Sequence, residues 1–109
     1  MGNMSKNVRE KIYKVTSGRC FYCGCKLSFD NFQVDHFKPK AHGGIDKNNR
    51  VPCCSDCNSI KGKKSVEEFR KTIYGYFSDD IHVRMIDKYY ILPKRKPTFY
   101  FEKNNFTPV

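Results

Sequence analysis

Long apolar runs are missing from this sequence, and so is an acidic counterweight to its basic residues. Without a run of about 20 apolar residues there is no membrane span. Nor is there a basic amphipathic helix with a clean Leu/Phe face, so no membrane partner is expected. The opening Met1-Gly2-Asn3-Met4-Ser5-Lys6 has no apolar h-region; it does not read as a secretory leader, and a cytoplasmic location is expected. Internal repeats and a second domain are absent as well, so residues 1–109 read as one domain. Only 11 Asp and Glu stand against 21 Lys and Arg, for a net charge of +10. That imbalance calls for a polyanionic partner such as nucleic acid. A core built from a chain of this length is marginal without help, and a structural metal is one common source of it.

Such a source is visible in the cysteines. Cys20-Phe-Tyr-Cys23 and Cys54-Ser-Asp-Cys57 each have the C-x-x-C spacing that brings two thiolates to one tetrahedral ion. Together they make a structural zinc site. Disulfides are the competing reading of six cysteines, and the absent leader, the paired spacing and the lysine-rich composition weigh against them. Cys25 and Cys53 remain as reduced bystanders. They leave the register open, since Cys53 could replace Cys54 and Cys25 could replace Cys23. Thirty residues separate the two pairs, more than the interval of about 15–20 common in zinc ribbons. The insert holds Asp35-His36, Pro39, Gly43-Gly44 and several lysines. A zinc-clamped basic loop around an acid-base pair suggests phosphodiester chemistry.

Around this centre the periodicities predict an α+β chain. Ser5 caps a first helix with Val8, Ile12 and Val15 on one face, ending near Gly18. Phe32–Phe37 reads as a strand with Phe32 and Val34 on one face, and Arg50-Val51-Pro52 as a short return strand at an edge. A short helix opens at the second cysteine pair and runs to about Ile60. Ser65-x-x-Glu68 is a capping box for a stronger helix with Val66, Phe69, Ile73, Tyr76 and Phe77 as its apolar stripe. Beyond Ser78, Ile81, Met85 and Ile86 hint at a third helix, Pro93–Pro97 is a basic linker, and Thr98-Phe99-Tyr100-Phe101 reads as a strand.

Residues from about 18 to 69 resemble the HNH endonuclease family. The resemblance rests on Arg19-Cys20-x-Tyr22-Cys23-Gly24, Val34-Asp35-His36, Pro39, Gly43-Gly44, Asn49-x-Val51-Pro52, Cys54-x-x-Cys57-Asn58 and Lys61, in that order. It implies a small ββα-metal fold clamped by a four-cysteine zinc site with flanking helices, leaving 78–109 as a C-terminal extension. It further implies that His36 is the general base, that Asn49 orients the loop and the base, and that Asp35 and Asn58 hold a divalent cation. Cys20, Cys23, Cys54 and Cys57 match the structural zinc ligands, and Lys61 falls near the phosphate. Two positions depart from the pattern: Cys53 replaces a small apolar residue, and His42 stands where serine or lysine is commoner.

The chemistry stands beside that resemblance. Carboxylate and amide oxygens are hard ligands suited to Mg²⁺ or Mn²⁺, and a neutral imidazole is a competent base near pH 7. Seven Lys and Arg against two acids lie between Lys38 and Lys64. Lys38, Lys40, His42, Lys61, Lys63 and Lys64 are therefore the expected phosphate contacts on duplex DNA. One geometric difficulty is plain: neighbours on a regular strand point to opposite faces, so Asp35 and His36 share a site only if the strand ends or twists there. A metal-dependent DNA endonuclease, acting as monomer or homodimer, is the first expectation. A zinc-finger module that binds nucleic acid without cutting it is the second, and it has no need of Asp35 or His36.

Overall fold

The computed structural model describes residues 4–78 and 98–109, with side chains for 4–73 and 98–109. Helix α1 spans Lys6–Lys14, and the Ser5 hydroxyl caps it by accepting from the Val8 N–H at 3.2 Å. It ends through Ser17 and Gly18, both left-handed at φ 52° and 81°. A side chain at Gly18 would also strike the Tyr13 ring, 2.7 Å from the nearest atom. Two requirements thus converge on glycine there.

Strands β1 (Gln33–His36) and β2 (Arg50–Cys53) form an antiparallel pair in which Asp35 lies opposite Val51 and His36 opposite Arg50. The far edge of β2 is also used: Arg50 and Val109 exchange both backbone hydrogen bonds, at 2.8 and 3.0 Å. Helix α2 (Ser55–Lys61) follows β2 directly, giving the order strand, strand, helix. Helix α3 spans Val66–Ser78. Its capping box forms as predicted: Ser65 Oγ accepts from the Glu68 N–H at 3.1 Å, and the Glu68 carboxylate accepts from the Ser65 N–H at 2.8 Å.

The C-terminal strand expected at Thr98–Phe101 is instead a helix, α4 (Tyr100–Asn104). Tertiary hydrogen bonds override the local β preference. The N–H groups of Tyr100 and Phe101, which an α-helix leaves unpaired at its start, donate to the carbonyls of Tyr22 and Phe21 at 2.8 and 2.9 Å. Glu102 folds back to accept from the Phe99 N–H at 2.9 Å. The expected third helix, the linker Pro93–Pro97 and His82 lie outside the described residues, as do the side chains of Tyr76 and Phe77.

Aromatic rings dominate the core. Phe21 stacks on Phe101 at 4.6 Å, Phe69 on Phe99 at 5.1 Å, and Tyr22 meets Phe69 edge-on at 5.3 Å. Phe21, Tyr22, Phe69 and Phe99 are all fully buried, and burying each phenyl side chain contributes roughly 1.5–3 kcal/mol. Ile12, Phe32 and Val34 form a second cluster beneath α1. The first cluster holds Cys20, Cys53 and Cys57 within it, so the cysteine pairs and the aromatic core are one packed unit.

Candidate active site and metal cluster

The sulfurs of Cys20, Cys23, Cys54 and Cys57 all lie within 4.8 Å of one another. A zinc ion with Zn–S bonds of about 2.3 Å needs a tetrahedron with S···S edges of about 3.8 Å, and Cys23 Sγ lies 3.8 Å from Cys54 Sγ. Backbone geometry sets this up. Gly24, at φ 79°, turns the first pair, while Cys54 caps α2 and so offers Cys57 one turn later. Backbone N–H groups of Cys54 and Cys57 donate to Cys20 Sγ and Cys54 Sγ, each at 3.4 Å; such contacts favour thiolate over thiol. Hydrogen bonds from Cys20 and then Cys23 hold the Cys54 thiol far below its ordinary range. None of the six cysteines is in a disulfide. Cys53 is not among the four sulfurs that gather: it lies in the core, where burial pushes its thiol up. The four-sulfur cluster can hold a metal, and its donor set fits zinc.

On the α2 face of β1, Gln33 and Asp35 project two residues apart, as a strand requires. The Asn58 amide nitrogen donates to Gln33 Oε1. Asp35 Oδ2 accepts from the Tyr22 hydroxyl at 2.6 Å and lies 2.9 Å from the Lys61 ammonium. Lys61 also donates to the His36 carbonyl at 3.1 Å. Burial, then the Asp35 charge, drives the Tyr22 pKa well above its ordinary value, so Tyr22 is a permanent donor here. Asp35 Oδ1 and the Asn58 amide oxygen have no protein partner among the described residues, and neither is a buried, unsatisfied atom; both reach solvent. Each is a hard oxygen of the type that Mg²⁺ or Mn²⁺ takes as a ligand.

His36 ends β1 and has a partner of its own. Its Nε2 lies 2.7 Å from Asp46 Oδ1, and Lys40 Nζ lies 3.5 Å from the same oxygen. The hydrogen bond with His36, then the Lys40 charge, holds the Asp46 carboxyl below its usual range. Asp35 and His36 thus have separate partners, Tyr22 with Lys61 for one and Asp46 for the other. Asp46 escaped the sequence reading, although a lone carboxylate in the basic loop was its signal. Tyr22 escaped too, with no signal beyond its place between two cysteines.

Asn49 fastens the loop between the strands. Its amide accepts from the Lys38 N–H at 2.7 Å and donates to the carbonyls of Lys38 and Ile45 at 2.8 and 2.7 Å. Its backbone carbonyl takes the Phe37 N–H at 2.8 Å, one residue beyond His36. Gly44 lies under this pin, where an added Cβ would sit 1.9 Å from the Lys38 carbonyl oxygen. Of the expected phosphate contacts, Lys38, Lys40, His42 and Lys63 are exposed on this loop and the end of α2. Lys64 bonds back to the Ile60 carbonyl at 2.9 Å. Lys61 is fully buried and offers no surface to a phosphate.

This constellation, a β1–β2–α2 unit with cysteine pairs at both ends, is that of a nuclease family. A model described as HNH endonuclease matches residues 20–74, just over half of the chain, and the chain belongs to that family. Among curated relatives, the CRISPR-associated endonuclease Cas9 of Corynebacterium diphtheriae is 39% identical over 46 residues, covering 40% of this chain and 4% of that protein. The uncharacterized protein R423 of Acanthamoeba polyphaga mimivirus is 30% identical over 87 residues, covering 74% of this chain and 16% of that protein. Among solved structures, the Type II-C Cas9 enzyme from Actinomyces naeslundii superposes with a TM-score of 0.55 at 22% identity, over 90% of this chain and 14% of that one; this likeness concerns the fold. The chain therefore spans a small fraction of each of these relatives. No helix among the described residues is long and apolar enough to cross a membrane.

Proposed function

We propose that this chain is a metal-dependent endonuclease that hydrolyses phosphodiester bonds of DNA. One observation carries the reading: the family match from residue 20 to residue 74 encloses Asp35, His36, Asn49 and Asn58 together with both cysteine pairs. His36 takes the proton from the attacking water. Oxygen adds to phosphorus, one P–O ester bond breaks, and the leaving oxygen gains a proton from solvent. Asp35 and Asn58 would hold a divalent cation such as Mg²⁺ or Mn²⁺, and that ion would supply positive charge to offset the charge on the phosphoryl oxygens. Asn49 acts at one remove by fastening the loop that follows the base. Cys20, Cys23, Cys54 and Cys57 would hold a zinc ion that ties together the two ends of that loop. Lys38, Lys40, His42 and Lys63 supply the cationic surface for the duplex.

A second reading, a zinc-finger module that binds nucleic acid without cutting it, is favoured by the Asp35–Lys61 pair. A carboxylate already neutralised by a buried ammonium is what a structural role looks like. Plasmid nicking in Mg²⁺, in Mn²⁺ and in EDTA separates the two. Cation-dependent nicks that EDTA abolishes are expected; DNA binding without any cleavage in either cation would overturn the nuclease reading.

A further inference from the structure

We infer that Asp46 is the positioning residue for the base: it grips His36 through Nε2 and leaves Nδ1 as the nitrogen that accepts the proton. The inference rests on the nuclease reading and deepens it. Asp46 Oδ1 lies 2.7 Å from His36 Nε2, a charge-assisted hydrogen-bond distance. A carboxylate can only accept, so the contact requires the proton on Nε2. In a neutral imidazole the other nitrogen, Nδ1, is then the lone-pair site. Nδ1 has no protein partner among the described residues, and it is not a buried, unsatisfied atom, so it reaches solvent and can meet a water.

The loop is built to hold this contact. The Asn49 amide bonds to the Ile45 carbonyl at 2.7 Å, next to Asp46, and Asn49 N–H donates to the Asp46 carbonyl at 3.3 Å. Lys40 steadies the same carboxylate oxygen from the 3₁₀ turn at Lys40–His42. The backbone of β1 is meanwhile fastened on the opposite side by Lys61 on the His36 carbonyl. The imidazole is thus restrained from both ends, a carboxylate on its ring and an ammonium on its main chain.

The test uses the full chain with Asp46→Asn, Asp46→Ala and Asp46→Glu. Removing a carboxylate from a basic surface should leave duplex affinity the same or tighter. If Asp46 only decorates the surface, cleavage should therefore hold steady or rise. If it positions the base, the cleavage rate at saturating DNA should fall by at least about 10-fold in the Asn and Ala variants, because an imidazole in the wrong tautomer cannot take the proton, with zinc content unchanged. Glu should restore part of the rate. Nitrogen-15 spectra of the histidines give a readout without activity: His36 should be the Nε2–H form in the wild type and a mixture in Asp46→Asn. An unchanged rate in Asp46→Asn and Asp46→Ala, or a wild-type His36 carrying its proton on Nδ1, overturns the inference. A wild type that fails to cut removes the nuclease reading instead, and the spectra still decide whether Asp46 holds the ring.

Discussion

Lys61 Nζ lies 2.9 Å from Asp35 Oδ2, with the two side chains 0% and 8% exposed. A lysine expected from the sequence to meet phosphate is therefore an internal cation beside the proposed metal-binding carboxylate. Burying two charges is costly, and the pair survives because each is hydrogen-bonded further. Asp35 receives the Tyr22 hydroxyl, and Lys61 reaches the His36 carbonyl.

The first prediction follows from that pair. Lys61→Met should destabilise the protein by about 3–5 kcal/mol, because it strands a buried carboxylate. Adding Asp35→Asn should return part of the loss, which urea denaturation of the single and double variants would show. The salt dependence of DNA binding should not change in a Lys61 variant that remains folded. Lys38→Ala, Lys40→Ala and Lys63→Ala should each flatten it, by a slope of about 1 per lost phosphate contact. A flattened slope for Lys61→Met would mean that its ammonium leaves the core to reach DNA.

The cysteine cluster predicts about one zinc per chain. Cys57→Ser should lose the metal, while Cys53→Ala and Cys25→Ser should retain it; native mass spectrometry reads all three directly. Chelation should unfold the aromatic core along with the knuckles, since Cys20 and Cys57 lie inside the same buried cluster as Phe21 and Phe69. Retention of zinc by Cys57→Ser would overturn the ligand set.

Substitutions at the proposed catalytic residues should separate by metal rescue. His36→Ala should lower cleavage by roughly 10²–10⁴-fold with folding and DNA affinity intact, and added cation should not restore it, because a cation cannot replace a positioned proton acceptor. Asp35→Ala and Asn58→Ala should recover part of their rate as Mg²⁺ or Mn²⁺ is raised. Equal rates for His36→Ala and wild type would remove the imidazole from the chemistry.

Stability should have an acid-sensitive component at α4. Burial alone would raise the Glu102 pKa, but hydrogen bonds from Arg70 and from the Phe99 N–H outweigh it and hold it below the ordinary 4.5. Arg70 grips both carboxylate oxygens, at 2.7 and 2.9 Å. A carboxyl depressed in the folded state favours folding above its ordinary pKa, and that contribution is lost as pH falls through the lowered value. Melting temperature should therefore drop between pH 5 and pH 3 by less in Glu102→Gln than in the wild type. Equal drops would show that the pair contributes nothing.

Features governed by short-range chemistry were legible in the residues alone. Thiol spacing marked the four cysteines whose sulfurs gather, Ser65 and Glu68 the start of α3, and Ser5 that of α1, because each depends on groups within a turn of one another. The two strands were legible to within a residue or two for the same reason. Long-range pairing decided the rest. Phe99–Phe101 has a strand's composition and adopts a helical start because distant carbonyls of Phe21 and Tyr22 receive its N–H groups. Cys54 rather than Cys53 joins the cluster because β2 turns Cys53 into the core. Lys61 reads as a surface cation until α2 packs on β1 and sets it against Asp35, 26 residues earlier in the chain. Asp46 gains its meaning only when the loop fastened by Asn49 delivers it to His36. A residue's charge is written in the sequence; whether that charge meets water, phosphate or a buried partner is settled by contacts between segments that no local pattern encodes.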